Sequence, residues 1–292
     1  MSVMVNVNGR VFDQEHAVIP VFDHGFLYGE GIYETLRTYD GRPFLFDRHM
    51  RRLRASAAMI ALTIPLSDRE IEAMFDQTVR AAGLGTRGRE AYIRLLVTRG
   101  VGDLSYDLSA CPRPSVVVIV KPHVDPPSEA FTHGVRVALV SVVRNHPGTV
   151  NPRIKSNNLL NCALAAQEAY AKGAFEGVMR NYRGELAECT TANLFIVKDG
   201  VALTPPLNAG LLAGVTREFV FELGVRLGIA VREQVLHDAD LLGADEAFLT
   251  STTRELVPIV LVDEGAIGGG TPGPVTKALL EEFRRQTHQG PG

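Results

Sequence analysis

Three prolines in nine residues, at 121–129 (Lys-Pro-His-Val-Asp-Pro-Pro-Ser-Glu), constrain this chain more than any other local feature. Proline fixes φ and lacks a donor, so such a run suits neither a helix nor a central strand. A 292-residue chain is also long for a single core. The expected organisation is therefore residues 1–120, a linker at 121–131, and residues 132–292. Hydrophobic residues at 46% and charged residues at 22% are those of an ordinary globular protein. The formal net charge of −3 argues against a polyanion partner such as nucleic acid. Cys111, Cys162 and Cys189 are odd in number and far apart, which fits neither a disulfide framework nor a metal motif. They suit a reducing compartment. With no signal-peptide pattern and no apolar run of spanning length, a cytoplasmic location is expected.

Periodicity predicts mixed α/β structure. Residues 3–7 followed by Asn8-Gly9 read as a strand entering a tight turn. A short strand is expected at 43–46, with Asp47 capping a helix over 48–61. Ser67 and Glu70 form a capping-box pattern for a second helix, with Ile71, Met74, Phe75 and Val79 inward. Strands are predicted at 91–99 and 115–120; the first alternates, with Tyr92 and Arg94 sharing a face. Further on come a strand at 135–143, a helix at 156–171, and strands at 177–182, 193–198 and 201–204. Asp199-Gly200 marks a hairpin between the last two. Helices at 216–227 and 274–285 flank a strand at 247–250.

The chain holds only five lysines, namely Lys121, Lys155, Lys172, Lys198 and Lys277. Lys155 lies in a polar stretch, Asn-Pro-Arg-Ile-Lys-Ser-Asn-Asn, ahead of an apolar helix, a setting open to an amine nucleophile. Glu188 follows in Gly-Glu-Leu-Ala-Glu-Cys-Thr-Thr-Ala-Asn-Leu-Phe. An amine that can form a Schiff base and a carboxylate that can hold a proton on a pyridine nitrogen would together suit pyridoxal phosphate. Three places could hold a phosphate: the helix start at Val215 and Thr216, the hydroxyl run Thr250-Ser251-Thr252-Thr253, and Arg52. Taken singly, each has a plainer reading: a surface lysine, an N-cap, a solvated turn, a wet arginine face.

The ordered set resembles one family. Asp23-His24-Gly25-Phe26-Leu27-Tyr28-Gly29-Glu30-Gly31-Ile32-Tyr33-Glu34-Thr35-Leu36-Arg37 is similar to the N-terminal signature of class IV pyridoxal-phosphate aminotransferases. The likeness continues through Arg48-His49-Met50-Arg51-Arg52-Leu53, the Lys155 segment, 188–195, Gly214-Val215-Thr216-Arg217, 250–253 and Gly273-Pro274-Val275-Thr276-Lys277. It spans nearly the whole chain in order. It implies the two-domain fold type IV architecture, a smaller N-terminal α/β domain and a larger C-terminal pseudo-barrel, with 132–292 as the cofactor-binding domain that carries the lysine.

The resemblance implies roles residue by residue. Lys155 is the Schiff-base lysine and the proton carrier. Glu188 pairs with the pyridine nitrogen, and Arg52, Val215, Thr216, Ser251 and Thr252 hold the phosphate end. Tyr28, Tyr33, Tyr92, Arg94 and Thr253 line the substrate end. His24 receives no catalytic role, and Arg99 no assignment. Tyr92-Ile93-Arg94 resembles the Tyr-x-Arg strand of branched-chain enzymes, and residues 101–107 lack the Arg-x-His trap of D-amino-acid aminotransferases. Thr35 after Glu34, and Leu160 five residues beyond Lys155, depart toward the D-amino-acid and lyase branches. The expected activity is transfer of an amino group from an L-branched-chain amino acid to a 2-oxo acid such as 2-oxoglutarate. The alternatives are a D-amino-acid aminotransferase with a different carboxylate trap, an aminodeoxychorismate-type lyase, and a silent cofactor-binding protein. Because the 100–110 loop of this family reaches a neighbouring subunit, a homodimer or larger homo-oligomer is expected.

Overall fold

The computed structural model describes residues 2–289, with side chains through Thr287. The chain divides into two compact units: Met1–Val124 with Ile154–Asn158, and Asp125–Arg153 with Leu159–Gly292. The sequence reading kept Lys155 with residues 132–292; in the structure its five-residue segment packs with the first unit.

In the first unit, β1 (Met4–Val7) and β2 (Arg10–Asp13) are joined by Asn8 and Gly9, both with positive φ. Asn-Gly adopts that primed turn at little cost, so the hairpin forms as expected. A short helix α1 (His24–Leu27) leads to β3 (Gly31–Tyr39) and β4 (Arg42–Pro43). Helices α2 (Phe46–Met59) and α3 (Asp68–Ala81) precede β5 (Ala91–Thr98) and β6 (Ser115–Pro122). The sheet order is β2-β1-β6-β5-β3-β4, antiparallel throughout. Both helices cover one face, where Ile32, Leu36, Met50, Leu53, Ile71, Phe75, Ile93 and Leu95 are fully buried. Each such side chain contributes roughly 1.5–3 kcal/mol of apolar transfer. The capping box forms as read, with Glu70 Oε2 accepting from Ser67 N at 2.7 Å.

Two local expectations fail nearby. The strand at 43–46 is only Arg42–Pro43, because Leu45 turns into the left-handed region (φ 53°) and launches α2 at Phe46. Asp47 therefore sits in the first turn, beside the positive helix end, and is not the cap. Strand β6 also continues two residues into the segment read as linker, ending on the pair Ala91–Pro122.

The second unit holds α4 (Ser128–Thr132), β7 (Val135–Leu139), α5 (Leu160–Ala171), β8 (Glu176–Arg180), β9 (Leu186–Cys189), β10 (Asn193–Lys198) and β11 (Val201–Thr204). Then come α6 (Val215–Leu227), β12 (Val231–Glu233), α7 (Asp238–Leu242), β13 (Glu246–Ser251), β14 (Glu255–Val262), β15 (Gly265–Ala266) and α8 (Pro274–Gln289). The mixed sheet runs β12-β11-β10-β13-β14-β7-β8-β9, with β15 on β14. Val137, Val178, Leu186, Leu194, Leu249 and Val257, from six of its strands, share one core, so the sheet curls around it. Cys189 N donates to Ala192 O as the chain passes from β9 toward β10. This curled sheet is the expected pseudo-barrel.

The helix predicted at 156–171 begins only at Leu160. Tyr33 N donates to Lys155 O, and Asn157 N donates to Gly31 O, each at 2.9 Å, so these backbone groups bond β3 instead of a helix. Long strands β3 and β14 were not anticipated. Strand β14 contains Pro258, which argues against a central strand; it is tolerated because pairing with β7 starts one residue later, at Ile259. Among the described residues no helix is long and apolar enough to cross a membrane. Because Phe75 fills the core between α3 and the sheet, Phe75→Ala is expected to cost about 3–5 kcal/mol in urea unfolding; an unchanged midpoint would contradict this packing.

Candidate active site

Strand β3 alternates, sending Ile32, Glu34 and Leu36 toward the helices and Tyr33 and Thr35 to the other face. Glu34 thus becomes a fully buried carboxylate. Arg52 grips it side-on, with Nε 2.8 Å from Oε1 and Nη2 2.7 Å from Oε2. His49 Nδ1 lies 2.7 Å from Oε2. Burial works to raise the Glu34 pKa, but the charge and hydrogen bonds of Arg52, with those of His49, outweigh it and hold the carboxyl well below its usual range. His49 is pushed the other way by burial, despite Glu34, with Arg52 and Lys155 adding repulsion, and stays below its ordinary 6.5. A neutral ring beside a carboxylate must donate through Nδ1. Of the neighbouring arginines, Arg54 donates outward to Asp68 at 2.8 Å, and Arg51 is exposed. Arg52 turns inward to Glu34.

Ser56, one turn beyond Arg52, accepts a 3.1 Å hydrogen bond from Lys155 N. With the two bonds to β3, this fixes the Lys155 backbone. Its Nζ then lies 4.4 Å from the Tyr33 ring centre, and the Arg94 guanidinium lies 4.1 Å from the same ring. A Cβ at Gly31 would press on Asn157 Nδ2 and the Val97 carbonyl, so glycine permits this close approach. Tyr92 and Arg94 do share the face opposite the core; Tyr92 stacks under Lys121 Nζ at 5.0 Å. Tyr28 packs edge-on against His24 (4.8 Å) and tilts toward Tyr106 (5.1 Å). His24 Nε2 donates to the Asp103 carbonyl at 2.8 Å, tying the signature turn to the following loop. Arg99 donates to the carbonyls of Ile60 and Ala61, closing the C-terminal end of α2.

In the second unit Glu188 is buried on β9 and accepts from Arg144 Nε (2.8 Å), Leu212 N (3.1 Å) and Asn193 Nδ2 (3.3 Å). Asn193 also donates to Leu212 O at 3.0 Å, joining the carboxylate to the loop that precedes α6. That helix starts from Gly214 with no side-chain cap, placing Val215 and Thr216 in its first turn. Any Cβ at Gly214 would collide with Asn193 Oδ1. Thr250 is the cross-strand partner of Asn193, and its hydroxyl is buried without a hydrogen-bond partner. Ser251 is drawn elsewhere, accepting from Arg254 Nε at 3.2 Å, while Arg254 also donates to Glu176 and Thr191. Thr252 and Thr253 are half-buried in the turn beyond β13.

Of the residues that sequence reasoning singled out, Lys155 and Arg94 meet on the Tyr33 ring, while Arg52 lies on α2 against Glu34. Glu188 is tied through Asn193 to Leu212, in the loop that leads to Val215 and Thr216. Sequence reasoning did not single out Glu34, His49, Ser56, Arg144 and Asn193, which hydrogen-bond to Arg52, Lys155 or Glu188 or to one another. The spacing of His49, Arg52 and Ser56 along one stripe of α2 was the available signal.

Residues 31–262 match the sequence profile of the family described as Amino-transferase class IV. The chain belongs to the class IV aminotransferases. Its relatives include the "Putative branched-chain-amino-acid aminotransferase" of Methanocaldococcus jannaschii, 40% identical over 280 residues, or 96% of this chain and 95% of that one. A D-alanine aminotransferase of Listeria monocytogenes is 33% identical over 291 residues, covering 99% and 97%. The fold is similar to the Escherichia coli branched-chain amino acid aminotransferase, with TM-score 0.93 and 32% identity over 100% of this chain and 97% of that chain. It is similar also to the branched-chain amino acid aminotransferase of Thermobaculum terrenum in its PLP form, with TM-score 0.86 and 28% identity, covering 98% and 94%.

The buried trio makes this aminotransferase acid-sensitive in two windows. As pH falls below 6.5, an unfolded His49 takes up a proton that the folded ring refuses, so stability declines toward its lower folded value. Below 4.5 the same holds for Glu34, whose folded carboxyl stays charged until far lower pH. Thermal melts should therefore show Tm falling from about pH 7 to about pH 5, with a shallower slope in His49→Gln. Equal slopes in both proteins would refute the assignment.

Proposed function

We propose that this class IV aminotransferase is a pyridoxal-phosphate-dependent transaminase that passes the amino group of an L-branched-chain amino acid to a 2-oxo acid such as 2-oxoglutarate. The observation that carries the reading is Lys155, an amine with its backbone pinned by Ser56 and β3 and its Nζ held against Tyr33 beside Arg94. The residues suit the cofactor. An uncapped helix start at Gly214, with a first turn of Val215 and Thr216, offers amide donors to a phosphate, and Thr250 nearby in the fold keeps an unpartnered hydroxyl. Ser251, Thr252 and Arg52 complete the phosphate donors in this proposal.

When bound, pyridoxal phosphate supplies an aldehyde for the amino group and a ring that accepts the electron pair left at the substrate Cα. The Lys155 amine removes the proton from that Cα and delivers it to cofactor C4′. Glu188 holds a proton at the pyridine nitrogen; three donors aim its carboxylate and leave one of its roughly four lone-pair sites for that contact. Arg94 offers its cation to a substrate carboxylate, and Tyr28, Tyr33, Tyr92 and Thr253 form the remaining substrate contacts. The kinship with branched-chain enzymes supports the choice of substrate.

Borohydride treatment of the cofactor-loaded protein should leave the cofactor mass on the Lys155 peptide, and Lys155→Ala should lose turnover by more than about a thousandfold. Single-turnover mixing with L-leucine or L-valine should consume the visible cofactor band faster than D-alanine does. D-alanine reacting fastest would assign the D-amino-acid branch instead.

The proposal includes a homodimer, or a larger assembly built on one, in the cytoplasm. Val18, Val21 and Phe22 just before the signature, and Phe26 within it, are exposed, as are Leu104 and Tyr106 of the 100–110 loop. Backbone bonds from Gly102 N to Phe22 O and from His24 N to Gly100 O unite the two segments. An apolar patch of this kind favours burial against another subunit. Three cysteines, with Cys111 and Cys189 buried, suit a reducing compartment. Light scattering should find a dimer or a multiple of it, with Phe26→Asp shifting the mass toward monomer; a monomeric wild-type protein would sink this part.

A further inference from the structure

His24 is enclosed by acceptors. Its ring is buried, with Nδ1 3.0 Å from Glu30 Oε2 and Nε2 2.8 Å from the Asp103 carbonyl oxygen. A backbone carbonyl can only accept, and so can an ionised carboxylate. Arg99 Nε stands 3.5 Å from Glu30 Oε1, pairing that carboxylate from its other side. A neutral imidazole has one N–H, so it can satisfy one of these oxygens and must turn a lone pair on the other. The doubly protonated ring donates to both. His49 differs, because a single N–H meets its contact with Glu34. The surrounding charge also asks for a further cation. Burial pushes the Cys111 thiol up; the charges of Glu30, Asp23 and Asp103 push the same way, and Arg99 opposes them. Three carboxylates thus share this corner with that guanidinium. Asp23 is met by Gly25 N, Thr98 Oγ1 and Ser115 Oγ (2.8, 3.0 and 2.7 Å), so it makes no demand on the ring. Tyr28 completes the enclosure, its ring edge-on to the imidazole at 4.8 Å.

We infer that His24 works as the imidazolium, a positioning residue that latches the 100–110 loop to the signature turn and so sets how tightly substrate is held. The latch joins three parts of the first unit: the signature turn through His24, the start of β3 through Glu30, and the loop through Asp103. Tyr28 packs on this ring, and Tyr106, three residues beyond Asp103, tilts over Tyr28 at 5.1 Å. Holding Asp103 therefore holds the two tyrosines against each other. Loss of the second ring proton leaves a lone pair facing an oxygen at hydrogen-bonding distance. One bond then breaks, and the loop is released with its tyrosine. The sign follows from the charge: the loop is latched at lower pH and freed as pH rises through the histidine range. The consequence for substrate rests on the proposed place of Tyr28 at the substrate end.

Nitrogen NMR of the purified protein, labelled at histidine, reads the ring directly. His24 should carry two protonated nitrogens at about pH 6 and lose one proton by about pH 9. Its signals are identified by their absence in His24→Gln, or by their movement in Glu30→Gln if the first variant does not fold. A single protonated nitrogen at every pH would overturn the inference. Glu30→Gln keeps an acceptor without the charge, so the second proton should leave at lower pH than in the wild type; an unchanged midpoint would overturn the pairing. Over the same span KM for the amino acid should rise about tenfold while kcat stays within about threefold, the effect of losing one charge-assisted hydrogen bond. His24→Gln, uncharged throughout, should show the raised KM at both ends. Titration of the substrate and lysine amines is common to both proteins, so their difference isolates the latch. If the wild-type ring loses its proton yet the two KM profiles run parallel, the positioning role is overturned. The ring signals need no turnover, so in a protein that transfers no amino group they would keep the latch while the transaminase reading fell.

Discussion

The first unit is organised around one buried anion. Glu34 sits on β3 among residues that exclude water, and its charge is held there because Arg52 and His49 offset and hydrogen-bond it. That requirement fixes the rotation of α2 over the sheet. With the helix so turned, Met50, Leu53 and Ala57 face the core, and Ser56 meets the Lys155 backbone. A single polar stripe therefore sets the register of the helix, the orientation of a guanidinium and the placement of an amine. Removing the carboxylate would strip a mostly buried cation of its paired charge-assisted bonds, and desolvation makes that loss larger than at the surface.

The second unit solves the converse problem, holding a carboxylate steady while leaving it able to accept one more hydrogen bond. Asn193 is the hinge of that arrangement, because its amide binds both Glu188 and the Leu212 carbonyl. Its Oδ1 also accounts for the absence of a side chain at Gly214. The curled sheet brings β9 and β10 near each other, and this places Glu188 within reach of a residue five positions later that follows a turn. A carboxylate held by three donors keeps its remaining acceptor site in a fixed position.

Much of this was legible in the sequence wherever local chemistry decides structure. Asn8-Gly9 and Asp199-Gly200 form the expected hairpins because few other dipeptides take two positive φ values cheaply. Ser67 and Glu70 cap α3 through contacts only three residues apart. The residues proposed to contact the cofactor stood out through an ordered resemblance. What stayed hidden depends on partners distant in sequence. Strand β3 carries Glu34 and Arg37 inside the protein, and β14 carries Pro258, so both violate the patterns by which strands are read. The helix expected from Ser156 loses its first turn to hydrogen bonds with β3, a strand from the far end of the chain. Arg144 reaches Glu188 across 44 residues, with no spacing rule to announce it.

The crossing of Ile154–Asn158 into the first unit has a consequence for how such a chain can be divided or recombined. The opening residues of β3, from Gly31 to Tyr33, find their outer backbone partners only in this returning segment. Cut at Val124, the first unit would keep its helices and its core yet expose an unpaired strand edge beside a glycine, the kind of edge that recruits foreign strands. The boundary that looks natural on the sequence is therefore not a seam along which the protein could be inherited or transplanted in halves. Lys155 travels with the very residues that close the sheet, so a first unit with its edge sealed is also a first unit that carries this amine.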